Sequence, residues 1–283
     1  MGRYQVLQLS FLLIIGLVIV MLGCSFKRDP IIDTHWDFAP SWSNAGDKIT
    51  FTRPGIEDSI FAEVLYLIDT TGTEITPLTI GGMYATWLPG DSEIVFFKGN
   101  FKLYYMNLNT MQELLLCDCS FARFPDYDIN NNLLYYEDQG VSHNWATSIY
   151  KMDLTTGDTT HIVGGSFPQL SPDGRYLLIS RHQVYRYDLI TDSNIVVFNY
   201  GNEYDWSPDG SKILIGNFTK TERLYKIYEI DSDGSNSKSF TSGKYPRYSP
   251  NGDRIVVAKP SADERNHLWL IDREGKNPKQ ITF

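Results

Sequence analysis

Short apolar strands alternate with polar turns along almost the whole chain, and the alternation repeats. One unit recurs six times: an apolar residue, an aromatic, any residue, an apolar or aromatic residue, then Asp or Asn. Its copies begin at Leu65-Tyr66, Leu103-Tyr104, Ile149-Tyr150, Val184-Tyr185, Ile227-Tyr228 and Leu268-Trp269. They end at Asp69, Asn107, Asp153, Asp188, Asp231 and Asp272, spaced by 38, 46, 35, 43 and 41 residues. A second element precedes each copy, as in Pro40-Ser41-Trp42-Ser43, Pro168-Gln169-Leu170-Ser171-Pro172-Asp173-Gly174 and Asp205-Trp206-Ser207-Pro208-Asp209-Gly210. Pro-Asp-Gly is turn chemistry, because Pro presets φ and Gly accepts positive φ without a steric penalty.

Between the two elements lies a run apolar on both faces, such as Ile94-Val95-Phe96 or Ile213-Leu214-Ile215, which reads as a buried central strand. After the Asp comes a polar turn and a last short strand. Each repeat is therefore four antiparallel strands joined by hairpins. One such sheet cannot bury both apolar faces alone, whereas stacking around a closed ring does so and leaves only short edges. The expected fold class is all-β: a six-bladed β-propeller of four-stranded antiparallel blades over residues 36–283, with blade boundaries near 81, 121, 164, 200 and 242. The repeated aromatics of the third strands are expected to pack between blades.

Residues 1–23 are different. Arg3 is followed by an unbroken apolar or Gly run of 13 residues, Phe11 to Gly23, a length that suits a signal peptide and is short for a membrane span. The run meets Cys24, and Met21-Leu22-Gly23-Cys24 resembles a bacterial lipoprotein signal. That resemblance implies cleavage before Cys24, lipidation of its thiol, and a tether over residues 24–35 holding an extracytoplasmic, membrane-anchored protein. The formal charge of −9 becomes −10 once Arg3 is removed, and no Lys/Arg-dense stretch is present. Nucleic acid is therefore not an expected partner.

The repeats resemble the TolB-like propeller family, whose blades read roughly Pro-x-Trp-Ser-Pro-Asp-Gly, an apolar strand, Ile-Tyr-x-Met-Asp and a Leu-Thr ending. Residues 205–210 and 149–153 match this closely, and Gln280-Ile281-Thr282-Phe283 is similar to the ending of a last blade. The resemblance speaks for fold rather than function, because its residues are turn and packing residues. The family's namesake carries an additional N-terminal α/β domain, for which six blades over 36–283 leave no room.

Candidate chemistry is sparse. Peptidases with related propellers need a Gly-x-Ser-x-Gly nucleophile elbow, and this sequence has none. The five histidines, His35, His143, His161, His182 and His267, fall at non-equivalent repeat positions. A metal-dependent glycan lyase or hydrolase with its site at the propeller axis is the enzymatic alternative. The turn Asp231-Ser232-Asp233-Gly234 lacks the distal Glu of a calcium loop and reads as a hairpin. Cys117 and Cys119 are expected to stay reduced, since a bridge over one residue is strained.

Three longer connections, 54–59, 138–145 and 259–267, join second to third strands and so share one face. His143, Trp145 and His267 are the candidate binding residues there, because loops on a rigid scaffold concentrate such residues. The expected function is a monomeric protein-binding or scaffolding module of the cell envelope, with no catalytic residues, metal or cofactor. Its expected contacts are another envelope protein and, through the lipid, the membrane.

Overall fold

The computed structural model describes residues 36–57, 60–119, 121–139, 147–219 and 224–283. Six four-stranded antiparallel sheets follow one another, each made of four strands consecutive in sequence. The blades span 38–80, 82–117, 123–164, 166–198, 203–242 and 244–280. The first strands contact one another around a closed ring, blade 6 meeting blade 1, so they surround the axis. This is the six-bladed propeller expected from the repeats.

The apolar residues form six clusters, one at each blade–blade interface. The second strands are buried on both faces, as with Ile213, Leu214 and Ile215 at 0% exposure. In the third strands the residue before the repeated aromatic is the sealed one: Leu65, Leu103, Ile149, Val184, Ile227 and Leu268 are each 0% exposed. The six aromatics themselves are half-buried. They lean on the preceding blade, and in blades 1 to 3 they stack across their own sheet, as Tyr66 does on Phe51 at 5.5 Å and Tyr150 on Tyr136 at 6.0 Å between ring centroids.

The turns follow their composition. In Ser-Pro-Asp-Gly, the glycine N–H donates to the serine carbonyl at 2.8 Å in both Gly174 and Gly210, and Ser171 and Ser207 Oγ donate to Asp173 and Asp209 at 2.6 Å. The Asp or Asn ending each third strand caps the following turn. Asp153 Oδ1 accepts Thr155 and Thr156 N–H, and Asp272 Oδ1 accepts Glu274 and Lys276 N–H. These hydrogen bonds hold both carboxyls below the usual range. In the 231–236 turn, Asp231 bonds Lys212 and Asn236, and Asp233 accepts Ser235 N–H.

Blades 1 and 6 share no strand, so the ring closes through side chains and turns. Asp37, 1% exposed, receives two hydrogen bonds from Arg53, Nε at 2.6 Å and Nη2 at 2.9 Å, and a third from Thr282 Oγ1. Its own N–H donates to Asn266 O at 2.9 Å. Trp42 Nε1 donates across the seam to Arg247 O at 3.1 Å. Gly72, at φ +83°, lies against Ile281, whose carbonyl oxygen would sit 2.7 Å from any added Cβ.

Two expectations need correction. Cys117 and Cys119 are joined as a disulfide with Cα atoms 5.2 Å apart. The fourth strand of blade 2 ends at Cys117, and the bend beyond it shortens the ~6.6 Å spacing of an extended strand to bridging range. The 54–59 connection is largely sheet rather than loop, since the second strand of blade 1 runs Lys48–Glu57 and the third begins at Ile60.

Candidate functional site: the propeller axis

The first strands project two layers of side chains toward the axis. Five of them carry a bulge residue at positive φ: Ala39 (51°), Tyr84 (50°), Phe124 (52°), Phe167 (56°) and Tyr245 (49°). Such values are strained for non-glycine residues. The bulge turns aromatic rings inward. Phe124 meets Tyr84 at 4.7 Å and Phe167 at 4.2 Å, while Phe38 fills the place left by the small Ala39, 5.8 Å from Tyr84 and 5.9 Å from Tyr245. These five rings form one contiguous layer across the axis. Blade 5 has regular pairing and contributes Glu203 instead.

Two residues further along each first strand lies the second layer: Ser41, Thr86, Asp126, Gln169, Asp205 and Arg247. Both layers line a funnel of about 420 Å³ that reaches the first-to-second-strand turns at Asn44, Ile129, Pro172, Pro208 and Pro250. Its mouth is thus on the face opposite the second-to-third-strand connections.

The carboxylates in this region also join blades. The N–H of Leu170 donates to Asp126 at 2.5 Å, and that of Tyr248 donates to Asp205 at 2.7 Å. One layer away, Phe167 N–H donates to Glu137 at 3.2 Å and Tyr245 N–H to Glu203 at 2.9 Å. Where the aromatic after the second-layer residue is Trp, its ring nitrogen makes the link instead. Trp87 Nε1 donates to Ser41 O at 3.1 Å, and Trp206 Nε1 to Gln169 O at 3.2 Å. The 3–4 and 5–6 interfaces are therefore stitched by carboxylates, and the 6–1, 1–2 and 4–5 interfaces by indoles.

Desolvation pushes Asp126 up to about 6 and Asp205 up to about 7, against the opposing pull of Arg247 and the backbone donors. Burial also raises Glu203, and it moves Tyr84 to about 12. Arg247 Nη1 donates to the carbonyls of Tyr204 at 2.5 Å and Pro246 at 3.1 Å. The funnel therefore offers an aromatic floor, a mixed polar ring bearing both signs of charge, and a proline-rich mouth.

His143, Trp145 and Cys24 lie outside the described residues. His267 is placed inside the third strand of blade 6 rather than on a loop surface. It is 3% exposed, its Nε2 is 2.9 Å from Asp263 Oδ2, and its Nδ1 faces Asp37 Oδ2 at 3.8 Å. His161 is exposed on a fourth strand beside Tyr150, and His182 is exposed at a hairpin with φ 71°. Among the described residues no three His, Cys, Asp or Glu side chains come close enough to share a metal ion. The axial ring sets two carboxylates against Arg247, a donor set that does not fit a divalent cation.

No protein-family model and no curated protein matches this sequence. Solved structures do resemble it. TolB from Acinetobacter baumannii is 19% identical with a TM-score of 0.71, over 82% of this chain and 63% of that one. A putative TolB from Agrobacterium tumefaciens is 18% identical with a TM-score of 0.61, over 74% and 84%. An oligogalacturonate lyase from Vibrio parahaemolyticus is 13% identical with a TM-score of 0.55, over 88% and 78%. The fold is that of a TolB-like six-bladed β-propeller. The chain spans 63% of the length of the Acinetobacter protein.

Proposed function

We propose that this chain is a lipid-anchored, extracytoplasmic binding module of the bacterial envelope that receives an extended segment of a partner protein in its axial funnel. The observation that carries this reading is the funnel of about 420 Å³ itself, floored by aromatic rings and ringed by polar groups. Apolar walls with a few convergent polar groups are the usual make-up of a binding site. Prolines and aromatics suit apolar side chains, while Ser41, Thr86 and Gln169 suit the amides of an extended backbone. The anchor rests on Met21-Leu22-Gly23-Cys24, with residues 1–23 as signal and 24–35 as tether. Each buried acyl CH₂ contributes about 0.8 kcal/mol, so two or more chains hold a soluble domain firmly.

Site-specific photocrosslinking in whole cells tests the binding site. A photoreactive residue at Gln169 is expected to give a discrete protein adduct that the same residue at Ser193, exposed on an outer strand, does not give. Identical adducts from both positions, or none from a well-expressed Gln169 variant, would reject the funnel as the site. Metabolic labelling with a fatty-acid analogue tests the anchor separately: wild type should take up label and Cys24→Ser should not.

A further inference from the structure

Cys117 and Cys119 are bridged across a single residue, Asp118. The stabilisation a disulfide gives through chain entropy shrinks with the loop it closes, and here the loop is minimal. The bond also requires the backbone to leave the extended path on which Cys117 pairs with Leu103. Such a bridge stabilises the fold little and gives way to reduction more readily than a long-loop structural disulfide. Its setting matches this. Both cysteines are only half-buried, and the Asp118 side chain between them is 73% exposed and ion-paired with Lys102. The pair sits at the head of the connection from blade 2 to blade 3. A little further along, Phe121 stacks on Phe101 at 4.0 Å and Ala122 N–H donates to Phe101 O at 2.8 Å. Both cysteines lie at the edge of the cluster between blades 2 and 3, and Cys119 Sγ is 3.8 Å from the Tyr136 hydroxyl.

We propose that Cys117–Cys119 is a reversible thiol–disulfide exchange site, served by a dithiol of the surrounding compartment, whose state sets the order of Asp118 and Cys119 and of Phe121 and Ala122 beyond them. A donor thiolate attacks one sulfur of the pair. The Cys117–Cys119 bond breaks, and the other sulfur leaves as a thiolate and takes a proton. The donor's second thiol then resolves the mixed disulfide, giving the donor disulfide and the second free cysteine. Two electrons and two protons pass from donor to pair.

The full-length protein, equilibrated in graded glutathione redox buffers and counted by alkylation and mass spectrometry, tests this. The pair is expected to pass from disulfide to dithiol at a ratio roughly a thousandfold more oxidising than a long-loop structural disulfide requires. Amide exchange at Asp118, Cys119, Phe121 and Ala122 should rise by about tenfold on reduction, while the second strands stay unchanged. Cys117→Ser/Cys119→Ser should keep the wild-type fold and melting temperature to within a few degrees. A pair that stays bridged throughout the range, a pair that never oxidises under oxidised glutathione, or a double variant that unfolds would each overturn the proposal.

Discussion

Asp205 shows how one side chain carries two demands at the axis. It accepts the Tyr248 N–H and so stitches blade 5 to blade 6, yet it sits where charge is poorly solvated. Its carboxyl is raised from 3.8 to about 7, so the native state holds a proton that the unfolded chain releases. The stabilisation is complete below about pH 4 and is lost as pH rises toward 7. Asp205→Asn keeps an acceptor for Tyr248 and removes the charge. It is expected to raise stability at pH 8 by on the order of 2–4 kcal/mol and to change little at pH 4, measured by denaturant titration at both pH values. An equal effect at both would show that the carboxyl does not titrate in this window. The axial ring was hidden in the sequence for a physical reason. Repeats expose what every blade needs alike, and Ser41, Thr86, Asp126, Gln169, Asp205 and Arg247 occupy the one slot in each repeat that packing leaves free to vary. His267 was misplaced for the converse reason, since a charged run such as 259–267 reads as solvated although its last residue has already entered a buried strand.

The third strands show that repetition and burial are separate signals. Six aromatics recur at one position, yet the sealed position is the aliphatic residue before each of them. The aromatic covers the margin of the interface, and in blades 1 to 3 it also stacks on a cross-strand ring. The aliphatic side chain fills the wedge between blades, where any of Leu, Ile or Val fits, and so draws less notice in a sequence. Ile227→Ala is therefore expected to cost about 3–4 kcal/mol, and Tyr228→Ala about 1–2 kcal/mol, by urea denaturation. The reverse order would mean that the aromatics carry the interface. At an indole stitch, Trp206→Phe loses the bond to Gln169 O and leaves the space of the second ring empty, and should cost about 2 kcal/mol. Turns and central strands were legible because their chemistry is local. The first-strand bulges were not, because Tyr84, Phe124, Phe167 and Tyr245 take positive φ under tertiary packing that their residue types disfavour.

A ring of six wedges has one joint that differs from the others, where the first and last blades meet. Five joints are crossed by continuous backbone. Among the described residues the 6–1 joint is held by the cluster around Trp42, Phe51, Leu268 and Ile281, the Trp42–Arg247 and Lys279–Thr71 bonds, the Gly72–Ile281 contact and the Asp37 latch to Thr282 and Asn266. Asp37 is placed to matter most, because Arg53, Thr282 and the Asn266 carbonyl all converge on this one residue. Asp37→Ala removes the carboxylate, leaving a mostly buried guanidinium, with 12% of its side chain exposed, without its counter-ion. Breaking a buried pair from one side costs about 3–5 kcal/mol, well beyond the value of an exposed ion pair. If the seam is the weak joint, that loss should appear locally. Native-state amide exchange should quicken in Phe38–Trp42 and Lys279–Gln280, while the 3–4 interface keeps its protection. Gly72→Ala, which drives a Cβ into the Ile281 carbonyl from the other side of the joint, should produce the same pattern. Uniform loss of protection in both variants would mean instead that the ring opens only as a whole.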